Sequence, residues 1–279
     1  MTTSGAQAHE RTGNVDEHKQ KVLEDLIDMS HRLGQPEREL VILGEGNTSA
    51  RVSDESFYVK ASGTQLETID AGGFVEVSTE RALAILDEDD PSDERIIELL
   101  RESGVDGSGL VPSVETILHA SLLSMPGINF VGHTHPIAAN AILCSENPEL
   151  LVGNRMFPDD IVCTGPSAVY VPYTDPGVKL AKAVREGVQR YVEENGFLPK
   201  LILMQNHGII ALGKTAKEVE TITNMHVKSC RIALGALAVG GINFLTPANV
   251  ERIFNRPDEK AREAMLFGTR KDGYSKGDG

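Results

Sequence analysis

Two apolar runs that each lead into histidine constrain the fold of this chain more than any other feature. The first run, residues 127–131, leads into His133-Thr134-His135, and the second, residues 201–204, leads into His207. Short apolar runs are typical of strands, and residues two apart on a strand point to the same face of a sheet. His133 and His135 are therefore predicted to leave one face together, with His207 joining them from a second strand end. Three imidazoles without a thiolate are typical of a catalytic metal site with an open coordination position.

Strand-like and helix-like segments alternate along the chain, which favours a single α/β domain. We expect a disordered tail over residues 1–15, one domain over residues 16–267 and a flexible tail over residues 268–279. The first helix is predicted to begin at Asp16, and Thr215 is predicted to cap a long helix late in the chain.

The composition narrows the partners that the chain can have. A formal net charge of −14 and the absence of Trp argue against nucleic-acid binding, because phosphates would be repelled and bases would find few stacking surfaces. We expect no secretory signal and no membrane anchor, since no apolar stretch is long enough. The three cysteines form no CxxC motif and are odd in number, which favours a reducing cytoplasmic location.

Glu115 follows Ser113, the predicted N-cap of a helix, and precedes the histidine strand in the chain. A glutamate in a first helical turn needs no functional explanation, since the helix dipole favours it there. However, the strand with His133 and His135 follows directly, so this helix start is expected beside the metal. A carboxylate there could ligate the ion at rest and, once displaced, move protons.

Three segments of small residues could bind an anion: residues 46–49, residues 62–64 and the helix start at Ser113. Small residues let backbone N–H groups converge, and a helix N-terminus adds a favourable potential. The first two segments are predicted as loops, and each alone is an ordinary turn. The remaining histidines are expected in packing or surface roles: His9, His18, His31, His119 and His226.

Six motifs occur in the order typical of one family: Gly46-Asn47-Thr48-Ser49, Ser62-Gly63-Thr64, Pro112-Ser113-Val114-Glu115, His133-Thr134-His135-Pro136, Val171-Pro172-Tyr173 with Pro176-Gly177, and Asn206-His207-Gly208. Over roughly residues 20–240 the chain thus resembles the class II aldolase/adducin family, and especially its fuculose- and rhamnulose-phosphate aldolases. The resemblance implies a three-layer α/β/α sandwich around a mixed, mostly antiparallel sheet. It also implies a homo-oligomer, typically a homotetramer, that acts on a small carbohydrate.

The same resemblance assigns roles to particular residues. His133, His135 and His207 would bind Zn²⁺ or another divalent transition metal, and Glu115 would be the catalytic acid/base. A set of small residues would hold a substrate phosphate: Asn47, Ser62, Gly63 and Ser113.

Two departures from the family pattern affect the substrate. Fuculose-type enzymes have two adjacent serines before the catalytic glutamate, whereas Val114 occupies the second position here. One hydrogen bond to a phosphate is lost, which leaves open whether the substrate is phosphorylated. These enzymes also have a tyrosine beyond the histidine pair that assists the aldehyde product. Residues 154–157 contain none, and Tyr274 and Arg155 are the candidates to take its place.

The resemblance predicts a zinc-dependent retro-aldol cleavage of a ketose through a metal-stabilised enediolate. Other activities stay open at this point. A metal-dependent epimerase, dehydratase or decarboxylase needs the same metal and proton carrier. A zinc hydrolase would use the metal to activate water, and an adducin-like binding module would do without the three histidines.

Overall fold

The structure, a computed structural model, describes the backbone of residues 4–88 and 91–267, and the side chains of residues 16–88 and 91–267. A seven-stranded sheet consists of β1 (Asn47–Arg51), β2 (Ser56–Lys60), β3 (Phe74–Ser78), β4 (Phe130–Thr134), β5 (Val169–Val171), β6 (Leu201–Met204) and β7 (Gly208–Gly213). The strand order is β3-β2-β1-β4-β7-β6-β5. Every neighbouring pair is antiparallel except β5 with β6. The mixed, mostly antiparallel sheet implied by the resemblance is therefore confirmed.

The described residues form ten α-helices: α1 (Ser4–Leu33), α2 (Thr79–Ala84), α3 (Asp93–Ser103), α4 (Thr116–Leu123), α5 (Ile137–Leu143), α6 (Pro158–Thr164), α7 (Val178–Asn195), α8 (Ala216–Ala238), α9 (Pro247–Asn255) and α10 (Pro257–Phe267). One face of the sheet packs against α1, α5 and α8, and the other packs against α2, α4 and α7. This is the predicted three-layer sandwich. Among the helices of the described residues, none has the length and apolar composition that crossing a lipid bilayer requires.

The core is divided between the two faces because successive side chains of a strand point in opposite directions. In β7, Ile209 is buried in one apolar cluster with Leu26 of α1 and Val219 of α8. The next residue, Ile210, is buried in the other cluster with Ile117 of α4. The sheet therefore has an apolar core on each of its two faces.

Helix starts follow local signals at several places. Thr215 caps α8 as predicted, because its side-chain oxygen accepts a hydrogen bond from the N–H of Glu218. The first helix, however, begins at Ser4 and not at Asp16. No proline occurs before Pro36, so the sequence contains no strong helix breaker that would delay the start. The domain limits stay a prediction, and the predicted tail over residues 268–279 lies outside the described residues.

One other local prediction was wrong, and some features were not predicted. Residues 47–49, predicted as a loop, form the start of β1, where their polar side chains are buried and hydrogen-bonded. Residues 209–212 are extended within β7, but the hairpin that joins β6 to β7 was not predicted, and its turn contains Asn206 at φ +54°. Asparagine tolerates this left-handed conformation better than most residues. Helices α6 and α9 were not predicted.

Candidate metal centre

Three histidines meet at one end of the sheet. His133 lies in β4, His135 follows that strand, and His207 precedes β7. Since Thr134 of β4 pairs with Ile209 of β7, the end of one strand lies beside the start of the other. The Nε2 atoms of His133 and His135 are 2.9 Å apart. The three ring centroids are 4.7–5.0 Å from one another, and one potential ligand atom from each ring lies within 4.8 Å of the other two.

Two histidines of this cluster, His133 and His135, favour the neutral form that a metal ion requires. Nδ1 of His133 donates to the carbonyl oxygen of Ile209 at 2.9 Å, so its Nε2 is left with a free lone pair. Burial lowers the pKa of His133, and burial together with the neighbouring histidines lowers the pKa of His135 to about 3. Metals bind neutral imidazoles, so these residues fit a divalent transition metal.

Glu115 faces the same space from the other side. It is the N-cap of α4, where the sequence had predicted Ser113, and so lies just before the first helical residue. Its Oε2 is 3.3 Å from Nε2 of His133, and its Oε1 is 3.3 Å from Nε2 of His207. Oε1 is buried without a hydrogen-bond partner among the described residues. A buried, unpartnered carboxylate oxygen beside three imidazole nitrogens fits a site built to receive a cation.

The environment of Glu115 favours its ionised form. Burial alone would raise the pKa of this carboxyl, because it is only 7% exposed. The imidazoles of His133 and His207 and the amide of Asn47 oppose that effect, and the pKa of Glu115 lies well below its ordinary value. Nδ2 of Asn47 donates to Oε2 at 2.6 Å. The side chain is thus held as a carboxylate that can accept a proton.

The four residues predicted to hold a phosphate lie around this carboxylate and its helix start. Asn47 of β1 also donates from Nδ2 to Oγ of Ser113, at 3.2 Å. The exposed Ser62-Gly63 turn lies beside that helix start, because Ser62 donates from Oγ to the carbonyl of Pro112 at 3.2 Å. Gly63 has φ +84°, which a side chain would strain.

Comparison with known proteins identifies the family. Residues 24–234 match the family model described as the Class II Aldolase and Adducin N-terminal domain. This chain belongs to that family. Its motifs, from Gly46 to Gly208, all fall inside the matched region.

Three known proteins are similar to this chain over most of its length. Uncharacterized oxidoreductase YuxG from Bacillus subtilis is 31% identical over 205 residues, which are 71% of this chain but only 27% of that protein's length. The N-terminal Class II Aldolase domain of a conserved protein from Thermoplasma acidophilum is 29% identical at a TM-score of 0.60, covering 76% of this chain and 93% of that one. L-fuculose 1-phosphate aldolase from Glaciozyma antarctica PI12 shares the fold, with 16% identity and a TM-score of 0.59, over 86% of this chain and 82% of that one.

Two residues of this class II aldolase-family site were missed in the sequence. Lys60 is 3% exposed, donates from Nζ to the carbonyl of Gly44 at 3.2 Å, and has its pKa lowered by burial although Glu115 opposes that shift. His119, expected in a packing or surface role, is fully buried and hydrogen-bonded to Asn47. Its position four residues after Glu115 places both on one face of a helix, which was the available signal.

Gly208 lets the hairpin approach the histidines closely, and this gives a first prediction. A Cβ added there would lie 2.7 Å from Cδ2 of His135 and in contact with the carbonyl oxygen of Thr134. We expect Gly208→Ala to displace the His135 ring and to weaken metal binding by roughly 10-fold or more. Equilibrium dialysis against a metal indicator measures this. Gly235→Ala is the matched control, because its Cβ would meet nothing within 4 Å. Equal metal affinities of both variants would contradict the prediction.

Arg155 is a candidate to replace the missing tyrosine. It is 2% exposed, and its Nε donates to the carbonyl of Gly165 at 2.8 Å. Its Nη1 donates to the carbonyl of Leu151 at 2.8 Å, and the carboxylate of Asp160 lies 4.0 Å from Nε. The guanidinium is therefore buried and bonded through Nε and Nη1 to main-chain carbonyls, and its position gives no support to a role in assisting the aldehyde. Tyr274, the other candidate, lies outside the described residues.

The contacts of Arg155 predict a structural role. Arg155→Met would leave buried carbonyl groups without donors and Asp160 without its counter-charge, so we expect the free energy of unfolding to fall by about 3–5 kcal/mol. Urea denaturation followed by circular dichroism measures the change. Arg252→Met, at an exposed position in α9, should change the free energy by less than about 0.5 kcal/mol. A loss below about 1 kcal/mol in Arg155→Met would contradict the assignment.

Proposed function

We propose that this chain is a metal-dependent class II aldolase, a lyase that cleaves a carbon–carbon bond of a ketose in a retro-aldol reaction. The observation that carries the proposal is the arrangement of the site. Three imidazole Nε2 atoms and the carboxylate of Glu115 face one space, with both carboxylate oxygens 3.3 Å from an imidazole nitrogen. A retro-aldol reaction requires a group that stabilises charge on the substrate oxygens and a group that moves a proton, and the site has candidates for both.

The residues proposed to hold the metal are His133, His135 and His207. Zn²⁺ fits three neutral imidazoles, although Mn²⁺, Co²⁺ and Fe²⁺ accept the same ligands. A divalent cation bound there supplies Lewis-acid chemistry, which stabilises negative charge that develops on the carbonyl and hydroxyl oxygens of a substrate.

Glu115 is the proposed acid/base. Its low pKa means that it starts as a carboxylate. It can then take the proton of a substrate hydroxyl, the one on the carbon atom that becomes the aldehyde when the carbon–carbon bond breaks. Since Asn47 fixes Oε2 at 2.6 Å, the hydrogen-bond-free Oε1 is the oxygen available to accept that proton. Glu115 then returns the proton to the carbon of the ketone fragment that lost its bond, which completes the reaction and restores the carboxylate.

An anionic group of the substrate is proposed to bind beside Ser113. Oγ of Ser113 accepts hydrogen bonds from Nδ2 of Asn47 and from the N–H of Glu115, at 3.2 and 3.3 Å. Its own O–H is therefore left to donate, which suits a phosphate or carboxylate oxygen. Val114, 46% exposed beside it, offers no second hydroxyl. A phosphate would thus receive fewer donors here than the fuculose-type pattern provides.

Product analysis tests this function directly. Ketose 1-phosphates, free ketoses and 2-keto acids, each ¹³C-labelled, are incubated with protein with and without added Zn²⁺, and NMR spectra are recorded. We expect a metal-dependent appearance of a small ketone and an aldehyde. Inversion of a carbinol centre with the carbon chain intact would instead indicate an epimerase, and loss of water or CO₂ a dehydratase or decarboxylase. Ester or amide cleavage alone would indicate a hydrolase, and inert, metal-free protein an adducin-like module.

A homo-oligomer is also proposed, with a tetramer as the expected size. Exposed apolar side chains beside the site support self-association, because Leu43 is 77% exposed, Ile42 61% and Ile137 60%. Light scattering of the purified chain measures the size of the oligomer.

The cytoplasmic location stays a prediction. The three cysteines form no disulfide.

A further inference from the structure

Two buried polar side chains lie behind Asn47 and have no part in the reaction proposed above. Ser49 lies two residues after Asn47 in β1, and His119 lies four residues after Glu115, one turn into α4. Residues two apart on a strand share a face, and residues four apart on a helix do too. The two spacings therefore set Asn47 opposite Glu115 and Ser49 opposite His119. Ser49 and His119 are both fully buried.

These four side chains form one continuous chain of hydrogen bonds. Oγ of Ser49 is 2.6 Å from Nδ1 of His119, and Nε2 of His119 is hydrogen-bonded to Oδ1 of Asn47. Nδ2 of Asn47 then reaches Oε2 of Glu115 at 2.6 Å. Every polar atom that His119 presents is thus used, which offsets the cost of burying an imidazole completely.

The direction of each hydrogen bond follows from the carboxylate. An ionised carboxylate only accepts, so the amide of Asn47 must present its NH₂ group to Glu115 and its oxygen to His119. Nε2 of His119 must therefore have the proton and donate to Oδ1. Burial lowers the pKa of His119 to about 3, so the ring is neutral and its Nδ1 is an acceptor. Ser49 must then donate to Nδ1.

Resting on the proposed function, we propose that His119 is a positioning residue that orients Asn47 and, through it, the carboxylate of Glu115. Ser49 assists by fixing the Nε2-protonated tautomer of His119. If His119 could not donate, the oxygen of the Asn47 amide would lose its hydrogen bond, and only the contacts of Nδ2 with Glu115 and Ser113 would hold the amide in the orientation that the carboxylate requires. The effect of His119 on the reaction must therefore depend on the charge of Glu115.

The first test measures the tautomer in metal-free protein that is labelled with ¹⁵N-histidine. The His119 resonances are assigned from their absence in His119→Gln. We expect a neutral ring protonated at Nε2, whereas His133, which donates from Nδ1 to Ile209, should have the opposite tautomer. A charged ring or an Nδ1-protonated His119 would overturn the proposal whatever reaction the protein catalyses.

The second test is a double-mutant cycle on kcat. We expect His119→Leu to lower kcat by roughly 10–100-fold in the wild-type background, and by less than about 2-fold in Glu115→Gln. His119→Gln, whose amide can still donate near the position of Nε2, should retain most of the activity. Equal losses in both backgrounds would overturn the positioning role and indicate a packing role. The cycle uses the reaction that wild-type protein catalyses, so failure of the lyase assignment would be seen separately.

Thr48 offers a matched control for Ser49. Its hydroxyl is equally buried but points to the opposite face of β1, where it is 2.6 Å from Oγ of Ser30. Both Ser49→Ala and Thr48→Val remove a buried hydroxyl and should lower stability similarly. Only Ser49→Ala should lower kcat, by several-fold. An equal effect of both variants on kcat would overturn the part assigned to Ser49.

Discussion

Glu115→Gln is expected to lower kcat by about 10²–10⁴ while the protein keeps its metal, because positioned acid–base groups typically contribute that factor. Glutamine has nearly the same shape, and its amide oxygen can still accept the hydrogen bond that Asn47 donates at 2.6 Å. The three imidazoles are unchanged. The substitution therefore removes the capacity to take a proton while it leaves the rest of the site in place.

Two measurements on Glu115→Gln separate its role from damage to the site. Metal content by plasma mass spectrometry should match wild type, and single-turnover product formation should be slow even at saturating substrate. Glu98→Gln, an exposed position in α3, is the control and should behave as wild type in both. Activity of Glu115→Gln within about 10-fold of wild type would contradict the acid/base assignment.

His207→Ala is expected to abolish activity for a different reason, namely loss of the metal. Removing a residue that hydrogen-bonds to a metal ligand typically lowers the affinity for the metal by about 10–100-fold, and removing a ligand itself should lower it further. The hairpin that positions His207 is otherwise retained, since Asn206 keeps its left-handed turn. Competition with a chelator measures the affinity, and excess Zn²⁺ should restore only part of the activity.

An exposed histidine provides the control for that experiment. His18→Ala removes an imidazole from α1. The His18 side chain is hydrogen-bonded to the carbonyl oxygen of Val52 and not to the histidine cluster. It should bind metal like wild type. If His207→Ala also kept full metal occupancy at wild-type affinity, the ion would have to be held elsewhere, and the ligand set proposed for this family member would be wrong.

The parts of the site that the sequence could predict are those set by short-range periodicity. His133 and His135 share a face because a strand has a period of two residues, and Glu115 lies at a helix start that precedes them in the chain. Thr215 was recognisable as a cap because its signal is complete within four residues. The overall fold was predictable only through the family resemblance, since strand order depends on contacts between distant segments.

Other features could not be deduced from local patterns. Asn47 and Ser49 look like loop residues, and only their pairing with β4 and α4 explains why polar residues are buried in a strand. Arg155 was a candidate to assist a substrate because nothing in the neighbouring sequence predicts that four main-chain carbonyls accept hydrogen bonds from it. The role of His119 could not be predicted for the same reason, because its hydrogen-bond partners are 70 and 72 residues away along the chain.

A crystal structure of the zinc-loaded protein, with anomalous data on both sides of the zinc edge, tests the central claim most directly. We predict one anomalous peak per chain, about 2.0–2.1 Å from the Nε2 atoms of His133, His135 and His207. A peak bound by other residues, or a chain that cleaves substrate at the wild-type rate with no ion bound, would contradict the account.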